Sequence, residues 1–406
     1  MKWRDIRMNH PINVTEKVYW IGVNDRETAL FENLWPLDKG VAYNSYLIND
    51  EKVALVDTVK INKMEIYFEK IQEILEKGKQ VDYLIINHME PDHSGAIKEV
   101  LHYFPNTKIV GNKKTLDMLQ EFYGIEENLY LVEDGDVLDL GEHKLKFFLT
   151  PMVHWPETMM SYDLKDKILF SMDAFGGFGS LDGGVFDDEV NLEFYEDEIR
   201  RYFSNIVGKY SSMVQRALNK LKGLDINIVA PTHGPVWRDK PQHIISLYDK
   251  WSRYEAEEGV VIVYGSMYGN TAKMADYIAR SLSEKGITNI RLYDASKTHV
   301  SYIISDIWRY KGVILGSCAY NTGLFPTMES VINKIKNSAL KDRILGIFGN
   351  YSWSGGGVIN LEAFAEQIKW ERVGEAVEAK SSPKDKDFVK CENIAIEMVK
   401  KLKKNI

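Results

Sequence analysis

Cysteine is scarce in this sequence: the 406 residues include only Cys318 and Cys391. Two cysteines so far apart provide no disulfide framework, no Cys-x-x-Cys motif and no thiolate cage for a metal ion. This cysteine usage suits a reducing compartment, so we expect a cytoplasmic location.

Long apolar runs are missing as well. No stretch of about 18 uncharged apolar residues occurs, so no segment is expected to cross a membrane. The N-terminal sequence, MKWRDIRMNHPINVTEKVYW, lacks the apolar core of a secretory signal. A net charge of −8 argues against a nucleic-acid partner, although an acidic surface still suits a small protein partner.

The amino-acid composition is that of a globular chain, with 45% hydrophobic and 27% charged residues. A chain of this length is expected to form two or three domains. Its first 240 residues carry many short apolar or alternating runs, which predict strands. These runs are KVYWIGV, NSYLIND, KVALVDT, DYLIINH, KIVGN, KLKFFLTP, KILFSMD and NIVAPTH. Helical patterns such as INKMEIYFEKIQEILEKGK and EDEIRRYFSNIVGKYSSMVQRALNKLKG separate some of them, which predicts a layered α/β domain.

The pattern changes near residue 259, where strands and helices begin to alternate regularly. Five predicted strands are each followed by a helical pattern: VVIVYGS, NIRLYDA, GVILGS, RILGIFG and ERVGEAVEA. This alternation predicts a doubly wound, five-stranded parallel sheet. We place the boundary between Asp249 and Gly259, which gives domains at 1–250 and 259–406.

A polar cluster follows an apolar strand of the first domain, in YLIINHMEPDHSGA at residues 83–96. Its potential metal ligands are His88, Glu90, Asp92 and His93. Pro91 favours an extended Glu90, and residues two apart in an extended segment point the same way, so His88, Glu90 and Asp92 can converge. Glu90 stands where metal-dependent hydrolases of similar pattern carry a histidine, and a carboxylate there favours a harder metal such as iron or manganese over zinc.

Three further candidate ligands also follow predicted strands: His154 after KFFLTP, Asp173 after ILFSM and His233 after NIVAP. Strand ends in an α/β sheet often share one edge, where loops build sites. A single histidine is more often a surface or core residue, and we assign no ligand role to His10, His102, His143, His243 and His299. Four imidazoles and three carboxylates are too many for one ion and suit two, with Asp173 as the natural bridge.

The second domain contains a turn, YGSMYGNTAKMA, between its first strand and first helix. Backbone N–H groups from Ser266 to Thr271, with both hydroxyls, are placed to hold a phosphate at the helix N-terminus. Two more loops, GSCAYNTGLFP and GNYSWSGGG, follow the strands that flank the chain reversal, where flavodoxin-type sheets hold FMN. The candidate cofactor-binding residues are Ser266, Met267, Tyr268, Gly269, Asn270, Thr271, Ser317, Cys318, Ala319, Tyr320, Asn321, Gly323, Asn350, Tyr351, Ser352, Trp353, Ser354, Gly355 and Gly356.

Aromatic side chains in these loops are suited to cover a flavin ring. Tyr320, with Trp353 or Tyr351, takes that role in our interpretation, although each aromatic taken singly is more often packed within its loop. Asn321, Gly323 and the segment 354–356 let the backbone approach the polar edge of the ring.

The metal series resembles the metallo-β-lactamase-like domain of the flavodiiron proteins, as does LFENLWPLDKGVAYNSYLI, and the three loops resemble the flavodoxin half of that family. The resemblance spans nearly the whole chain and implies an αββα sandwich followed by a flavodoxin-like domain, with FMN and two non-haem irons. It implies that His88, Glu90 and His154 bind one iron and Asp92, His93 and His233 the other, with Asp173 bridging. Cys318-Ala319 departs from the Pro-Thr that the family often carries at this place; we interpret Cys318 as a small packed residue rather than a reactive thiol.

The implied reaction is reduction of dioxygen to water, of nitric oxide to nitrous oxide, or both. Tyr202, in RRYFSNIV, is a candidate proton donor, although an aromatic at helical spacing is more often core. Electrons must come from outside, because the chain lacks the paired Cys-x-x-Cys segments of a rubredoxin module; rubredoxin or a reduced deazaflavin is the expected donor. The family also implies a head-to-tail homodimer, or a dimer of dimers.

Two alternatives stay open at this point. One is a zinc or manganese hydrolase with an appended flavodoxin domain, which metal content distinguishes. The other is a non-catalytic redox sensor or electron carrier that uses FMN alone and survives loss of His88 or Asp173.

Overall fold

The computed structural model describes residues 10–404. The chain divides into two compact units. One comprises the chain up to Phe203 together with Tyr210–Asp249, and the other comprises Ser204–Lys209 together with the chain from Lys250 onward. Residues 1–9 of the proposed first domain, and 405–406 of the second, lie outside the described residues.

Two mixed sheets and two short strand pairs build the first unit. Within the described residues its strands are β1 (Ile12–Asn13), β2 (Val18–Trp20), β3 (Val23–Asp25), β4 (Leu30–Phe31), β5 (Trp35–Pro36), β6 (Val41–Tyr43), β7 (Tyr46–Asn49), β8 (Val53–Val56), β9 (Tyr83–Ile85), β10 (Lys108–Gly111), β11 (Leu129–Leu131), β12 (Val137–Asp139), β13 (Lys144–Leu149), β14 (Met159–Asp163), β15 (Ile168–Met172) and β16 (Ile228–Pro231). One sheet has the order β1-β2-β7-β8-β9-β10-β11 and the other the order β12-β13-β14-β15-β16, while β3 pairs with β6 and β4 with β5.

The two sheets face each other through buried side chains. Tyr46 of β7 packs against Phe170 of β15 with ring centroids 5.2 Å apart. Strands β8, β9, β15 and β16 are buried along their whole length, because both of their faces meet other elements. β8, β9, β10 and β11 run parallel to one another, and β15 runs parallel to β16. The ends of β9, β15 and β16 are therefore places where loops can build a site.

Helices connect these strands and cover the sheets. Within the described residues they are α1 (Met64–Ile74), α2 (Pro91–Ser94), α3 (Ile97–Tyr103), α4 (Lys113–Tyr123), α5 (Glu193–Tyr202), α6 (Ser211–Leu221) and α7 (Pro241–Ser252). The ends of α4 follow from its sequence: the Asn112 side chain accepts the N–H groups of Lys114 and Thr115, and Gly124 ends the helix in the left-handed region at φ 67°.

One predicted helix is interrupted. The pattern from Glu196 to Gly223 predicts a continuous helix, but a π-helical turn at Phe203–Val207 and a 3₁₀ turn at Gly208–Tyr210 separate α5 from α6. Such turns accommodate side chains that regular helical spacing would misplace, and they are frequent at functional sites. Here the interruption directly follows Tyr202, which packs near the candidate metal centre.

The second unit is a doubly wound parallel sheet, as predicted. Its strands are β17 (Glu257–Gly265), β18 (Ile290–Asp294), β19 (Tyr310–Cys318), β20 (Ile344–Tyr351), β21 (Glu371–Arg372) and β22 (Val377–Lys380). Its helices are α8 (Asn270–Glu284), α9 (Val300–Arg309), α10 (Pro326–Ser338), α11 (Gly357–Ile368) and α12 (Asp385–Lys404). The order is β18-β17-β19-β20, with β21 and β22 both beside β20, so the chain reversal lies between β17 and β19.

The prediction of one continuous fifth strand was wrong. ERVGEAVEA forms β21 and β22, which pair with successive parts of β20. Gly374, at φ 62°, lies between them in a conformation that a strand does not use, which breaks the run into two.

The core of the second unit depends on a close approach of two neighbouring strands. Phe348 of β20 is fully buried in a cluster with side chains of α8 and α12. Its ring lies over Gly316 of β19, where a Cβ atom would come within 2.1 Å of Phe348 Cζ. Glycine at 316 is therefore required for this packing.

No helix within residues 10–404 is both long and apolar enough to cross a membrane.

Candidate metal centre and flavin cavity

The candidate ligands lie just beyond strand ends. His88 and Glu90 occupy the loop from β9 to α2, and Asp173 and His233 follow β15 and β16. Glu90 is extended, with φ −58° and ψ 138°, as expected before a proline, and Pro91 opens α2. Asp92 already belongs to α2, so the rule that residues two apart point the same way in an extended segment does not extend to it. Its carboxylate therefore points in a different direction from that of Glu90.

Two groups of potential ligands result. His88, Glu90, His154 and Asp173 form the first group, in which the ligand atoms all lie within 4.8 Å of one another. His154 Nε2 is 3.2 Å from Glu90 Oε2 and 3.1 Å from Asp173 Oδ2, and His88 Nε2 is 3.3 Å from Glu90 Oε2. This group is entirely buried.

Asp92, His93 and His233 form the second group. The Nε2 atoms of His93 and His233 are 3.1 Å apart, and His233 Nε2 is 3.4 Å from Asp92 Oδ2. Asp173 joins the groups: its Oδ2 faces His154 of the first, whereas its Oδ1 lies 3.0 Å from His93 Nε2 of the second. All seven residues predicted from the sequence therefore meet in one place, divided three and three about Asp173.

A cavity of about 580 Å³ opens where the second unit's chain reverses. Its lining consists of Ser266, Met267, Tyr268, Asn270, Thr271, Cys318, Ala319, Asn321, Thr322, Asn350, Tyr351, Ser352, Trp353 and Ser354, none of them charged. Thr322 is the lining residue that the sequence analysis did not name. Six of the predicted residues are not part of the lining: Gly269, Ser317, Tyr320, Gly323, Gly355 and Gly356.

The predicted phosphate loop lies at the N-terminus of α8. Ser266 Oγ accepts the N–H groups of Gly269 and Ala272 at 3.1 and 3.4 Å, which closes the loop. Thr271 Oγ1 donates to Asn350 Oδ1 at 2.7 Å, so this hydroxyl proton is already committed to the end of β20. An anion here would be held by backbone N–H groups and the helix dipole rather than by a cationic side chain.

Sequence comparisons match each unit to a known family. Residues 41–234 match the family model described as "ODP family beta lactamase", and residues 262–393 match flavodoxin. The anaerobic nitric oxide reductase flavorubredoxin of Pectobacterium atrosepticum is 33% identical over 384 residues, which cover 90% of this chain and 75% of that protein. That of Escherichia coli O1:K1 is 32% identical, covering 89% and 76%.

Structural comparisons cover the two units together. The rubredoxin:oxygen oxidoreductase of Desulfovibrio gigas has a TM-score of 0.92 at 28% identity, over 97% of this chain and 99% of that chain. The flavodiiron protein of Giardia intestinalis has a TM-score of 0.92 at 27% identity, over 97% of both chains.

The chain belongs to the flavodiiron protein family. The resemblance inferred from the metal series and the flavin loops is thereby confirmed, as is the fold of a β-lactamase-like domain followed by a flavodoxin-like domain. Family membership gives the chain the two cofactors of flavodiiron proteins, FMN and a non-haem diiron centre. The hydrolase alternative is not favoured, because these relatives are named as reductases and oxidoreductases.

The second group of this flavodiiron protein fits a cation. Within the described residues, both carboxylate oxygens of Asp92 are buried without a hydrogen-bond partner. A buried carboxylate in this state is costly unless it is paired or coordinates a metal. Mixed imidazole and carboxylate donors suit iron.

The charges of the first group balance one another. Burial by itself raises the pKa of Asp173, but the positive charges of His93 and His88, with the hydrogen bond from His154, hold it well below its ordinary value. Glu90 behaves likewise: burial opposes its charge, but His154 and His88 lower the pKa of its carboxyl. Both carboxylates therefore stay ionised at neutral pH and are ready to offset the charge of bound cations.

Other contacts orient the candidate ligands of this flavodiiron protein. His88 Nδ1 donates to Glu157 Oε1 at 2.8 Å, and His233 Nδ1 donates to the carbonyl of Ala42 at 2.8 Å. Thr232 Oγ1 donates to Asp173 Oδ1 at 2.7 Å. Such hydrogen bonds fix which ring nitrogen faces the metal. Glu157 and Thr232 were not predicted from the sequence. Glu157 could be noticed as a carboxylate in HWPET, three residues beyond His154, but spacing alone does not pair it with His88.

Tyr202 lies beside the second group. It is fully buried, its ring centroid is 5.4 Å from that of His233, and its hydroxyl has no hydrogen-bond partner within the described residues. Burial, and then the charges of Asp173 and Glu90, raise the pKa of this phenol well above its ordinary value. The phenol thus retains its proton at neutral pH.

Three other residues have more ordinary surroundings. Burial raises the pKa of the Cys318 thiol, so it stays protonated beside the flavin cavity. Tyr320 packs its ring edge-on against Phe325, with centroids 6.1 Å apart. His143 Nδ1 binds Asp163 Oδ2 at 3.1 Å, in a turn where that oxygen also accepts the Asp166 N–H.

Proposed function

We propose that this flavodiiron protein reduces dioxygen to water, nitric oxide to nitrous oxide, or both, using electrons that FMN receives from an external donor. The observation that carries the proposal is the pair of donor groups sharing Asp173, each presenting imidazole and carboxylate atoms, in a chain that also holds a flavin cavity. Reduction of one O2 to two waters takes four electrons and four protons. Reduction of two NO to N2O and one water takes two of each.

Two iron ions held by these groups supply adjacent redox-active positions for a diatomic substrate. We assign His88, Glu90 and His154 to one iron and Asp92, His93 and His233 to the other, with Asp173 bridging. Glu90, Asp92 and Asp173 offset the cationic charge. Glu157 holds His88 in the tautomer that presents Nε2, and the Ala42 carbonyl does the same for His233.

In the second unit, we assign the phosphate of FMN to the N-terminus of α8. The backbone N–H groups of Tyr268, Asn270 and Thr271 are suited to it, because those of Gly269 and Ala272 are already bound to Ser266 Oγ and that of Met267 faces Cys318. For the flavin ring we favour Trp353 and Tyr351, which line the cavity, over Tyr320, which does not. FMN held in this cavity would supply a redox centre able to take electrons from the donor and release them singly.

Tyr202 is our candidate for holding a proton near the substrate. Its ring packs against that of His233, and its buried, protonated hydroxyl is not committed to a hydrogen bond within the described residues. A positioned acid of this kind can donate to an oxygen atom as negative charge develops on it.

For partners, we propose rubredoxin or a reduced deazaflavin as electron donor, and a head-to-tail homodimer, alone or as a dimer of dimers. Support for rubredoxin comes from relatives named flavorubredoxin and rubredoxin:oxygen oxidoreductase. Sedimentation of the purified protein tests the dimer, and a monomer that turns over at full rate would exclude it.

The function is tested with purified protein carrying measured amounts of FMN and iron. It is reduced anaerobically with a rubredoxin-coupled donor, and electrodes then follow consumption of O2 and NO in separate experiments. We expect fast loss of at least one gas, abolished by Asp173→Ala. The matched control is Asp163→Ala, which removes an equally buried aspartate from the same unit but no proposed ligand. If protein with full FMN and iron consumes neither gas, the proposal is overturned.

A further inference from the structure

Asn44 lies between β6 and β7 and is fully buried. Its side chain makes an unusual set of contacts with the loop that follows β16. Nδ2 donates to the carbonyls of Pro231 and Gly234, both at 2.9 Å. The backbone N–H of Asn44 donates to the Thr232 carbonyl at 2.7 Å. One residue thus binds the loop on both sides of His233.

The orientation of the Asn44 amide is fixed by its third contact. Trp20 Nε1 lies 2.8 Å from Asn44 Oδ1. An indole N–H can only donate, so the amide oxygen must face Trp20 and the amide nitrogen must face the loop. Trp20 is held in turn by Lys70, whose Nζ lies 4.0 Å from its ring centroid. Both donors of the amide nitrogen are therefore committed to the two carbonyls.

The loop that Asn44 holds contributes more to the second group of candidate ligands than to the first. His233 belongs to the second group, together with Asp92 and His93. Thr232 donates to Asp173 Oδ1, the oxygen that faces this same group. In contrast, the first group takes its histidines from the loops after β9 and β13. Displacement of the loop would move donors of the second group and leave His88, Glu90 and His154 where they are.

We propose that Asn44 is a positioning residue for the second metal position: it sets the place of His233, and of Asp173 through Thr232, before the metal binds. The inference rests on the proposed ligand roles of His233 and Asp173. It predicts that loss of the Asn44 amide weakens one metal position and spares the other. A role in general stability would lower the stability of the fold without this selectivity.

The test titrates ferrous iron anaerobically into metal-free protein with FMN bound. In Asn44→Ala we expect one of the two dissociation constants to rise about 10- to 100-fold, the effect typical of groups that orient ligands. The other should change less than about threefold. Mössbauer spectra of the iron-57 form should show one ferrous environment altered and the other preserved. The matched control is Asn24→Ala, since Asn24 also binds a loop of this unit through both amide atoms, at Leu181, away from the ligands.

Equal weakening of both positions, or a result that matches Asn24→Ala, would overturn the inference. If Asn44→Ala does not fold, Trp20→Phe carries the test, because it removes the hydrogen bond that orients the amide while Asn44 itself stays in place. It should raise the same dissociation constant by a smaller factor, and an unchanged constant would overturn the inference. Failure of the unmodified protein to bind two irons would instead refute the proposed function, so the two failures are distinguishable.

Discussion

Replacement of Glu157 by glutamine should weaken the first metal position. Glu157 is almost fully buried, and its Oε1 accepts both His88 Nδ1 at 2.8 Å and the Met89 N–H at 2.9 Å. Its Oε2 has no hydrogen-bond partner within the described residues. A glutamine oxygen can replace Oε1, but the NH2 group then takes the place of Oε2, where two donors meet no acceptor.

The size of the effect follows from these contacts. An unsatisfied buried donor costs about 1–3 kcal/mol. The neutral amide also fails to increase the basicity of His88 as a carboxylate does, and loss of such a partner lowers metal affinity by about 10- to 100-fold. That range corresponds to about 1.4–2.8 kcal/mol of binding free energy. We therefore expect Glu157→Gln to lose about 1.5 kcal/mol or more from one iron position.

The assay is competition for ferrous iron between the anaerobic protein and a chelator of known affinity. Asp187→Asn is the matched control, because Asp187 is a buried carboxylate of the same unit that accepts the backbone N–H groups of residues 238–240 without approaching a proposed ligand. The control should bind iron normally even if its stability falls. Unchanged affinity in folded Glu157→Gln would refute the reasoning. Glu157→Gln and Asn44→Ala should weaken different iron positions, since Glu157 binds His88 whereas Asn44 binds the loop that carries His233.

Three further predictions concern single side chains. Tyr202→Phe should retain its iron and FMN but lose at least about tenfold in gas consumption, because it lacks the proposed proton donor; full activity would exclude that role. Burial lowers the pKa of Lys70 to about 8. Between about pH 8 and 10.5 the unfolded chain therefore binds more protons than the folded chain. Urea unfolding should show the free energy of unfolding rising by about 3 kcal/mol over that range. Gly316→Ala should destabilise the chain by about 1–3 kcal/mol or more, since the new methyl overlaps the Phe348 ring; thermal unfolding at the wild-type temperature would contradict this packing.

Controls separate these effects from general damage. For Lys70, the rise in stability should vanish in Lys70→Met and persist in Lys39→Met, whose side chain is 56% exposed in the wild type. A pH profile in Lys70→Met that matches the wild type would show that the rise has another source. For Gly316, the double substitution Gly316→Ala with Phe348→Leu should recover part of the loss, because the smaller side chain leaves room for the methyl.

The sequence was most informative where short-range rules determine position. His88, Asp173 and His233 each follow an apolar run that becomes a fully buried strand, so local patterns were enough to predict that they meet at strand ends. The turn that precedes α8 was recognisable for the same reason. The overall fold class, a layered α/β domain followed by a doubly wound sheet, was confirmed.

What the sequence did not reveal depends on tertiary contacts. KVYWIGV predicts one strand, but Gly22 separates β2 from β3, which join different sheets. Glycine is required at this point, since a Cβ there would come within 2.6 Å of the Tyr43 carbonyl. Glu157 lies 69 residues from His88, and Asn44 lies 190 residues from Gly234. No local pattern therefore connects either residue to the metal centre. The break after Tyr202 likewise leaves no mark in the helical periodicity of residues 196–223.

Stopped-flow absorbance of FMN tests electron transfer from the flavin to the metal centre most directly. Protein with full FMN and iron is reduced without oxygen and mixed with NO, and then separately with O2. We expect rapid reoxidation of the flavin by at least one gas, and loss of that rapid phase in Asp173→Ala that retains its FMN. Equal reoxidation rates in the two proteins with both gases would contradict it, because the flavin would then react without the metal centre.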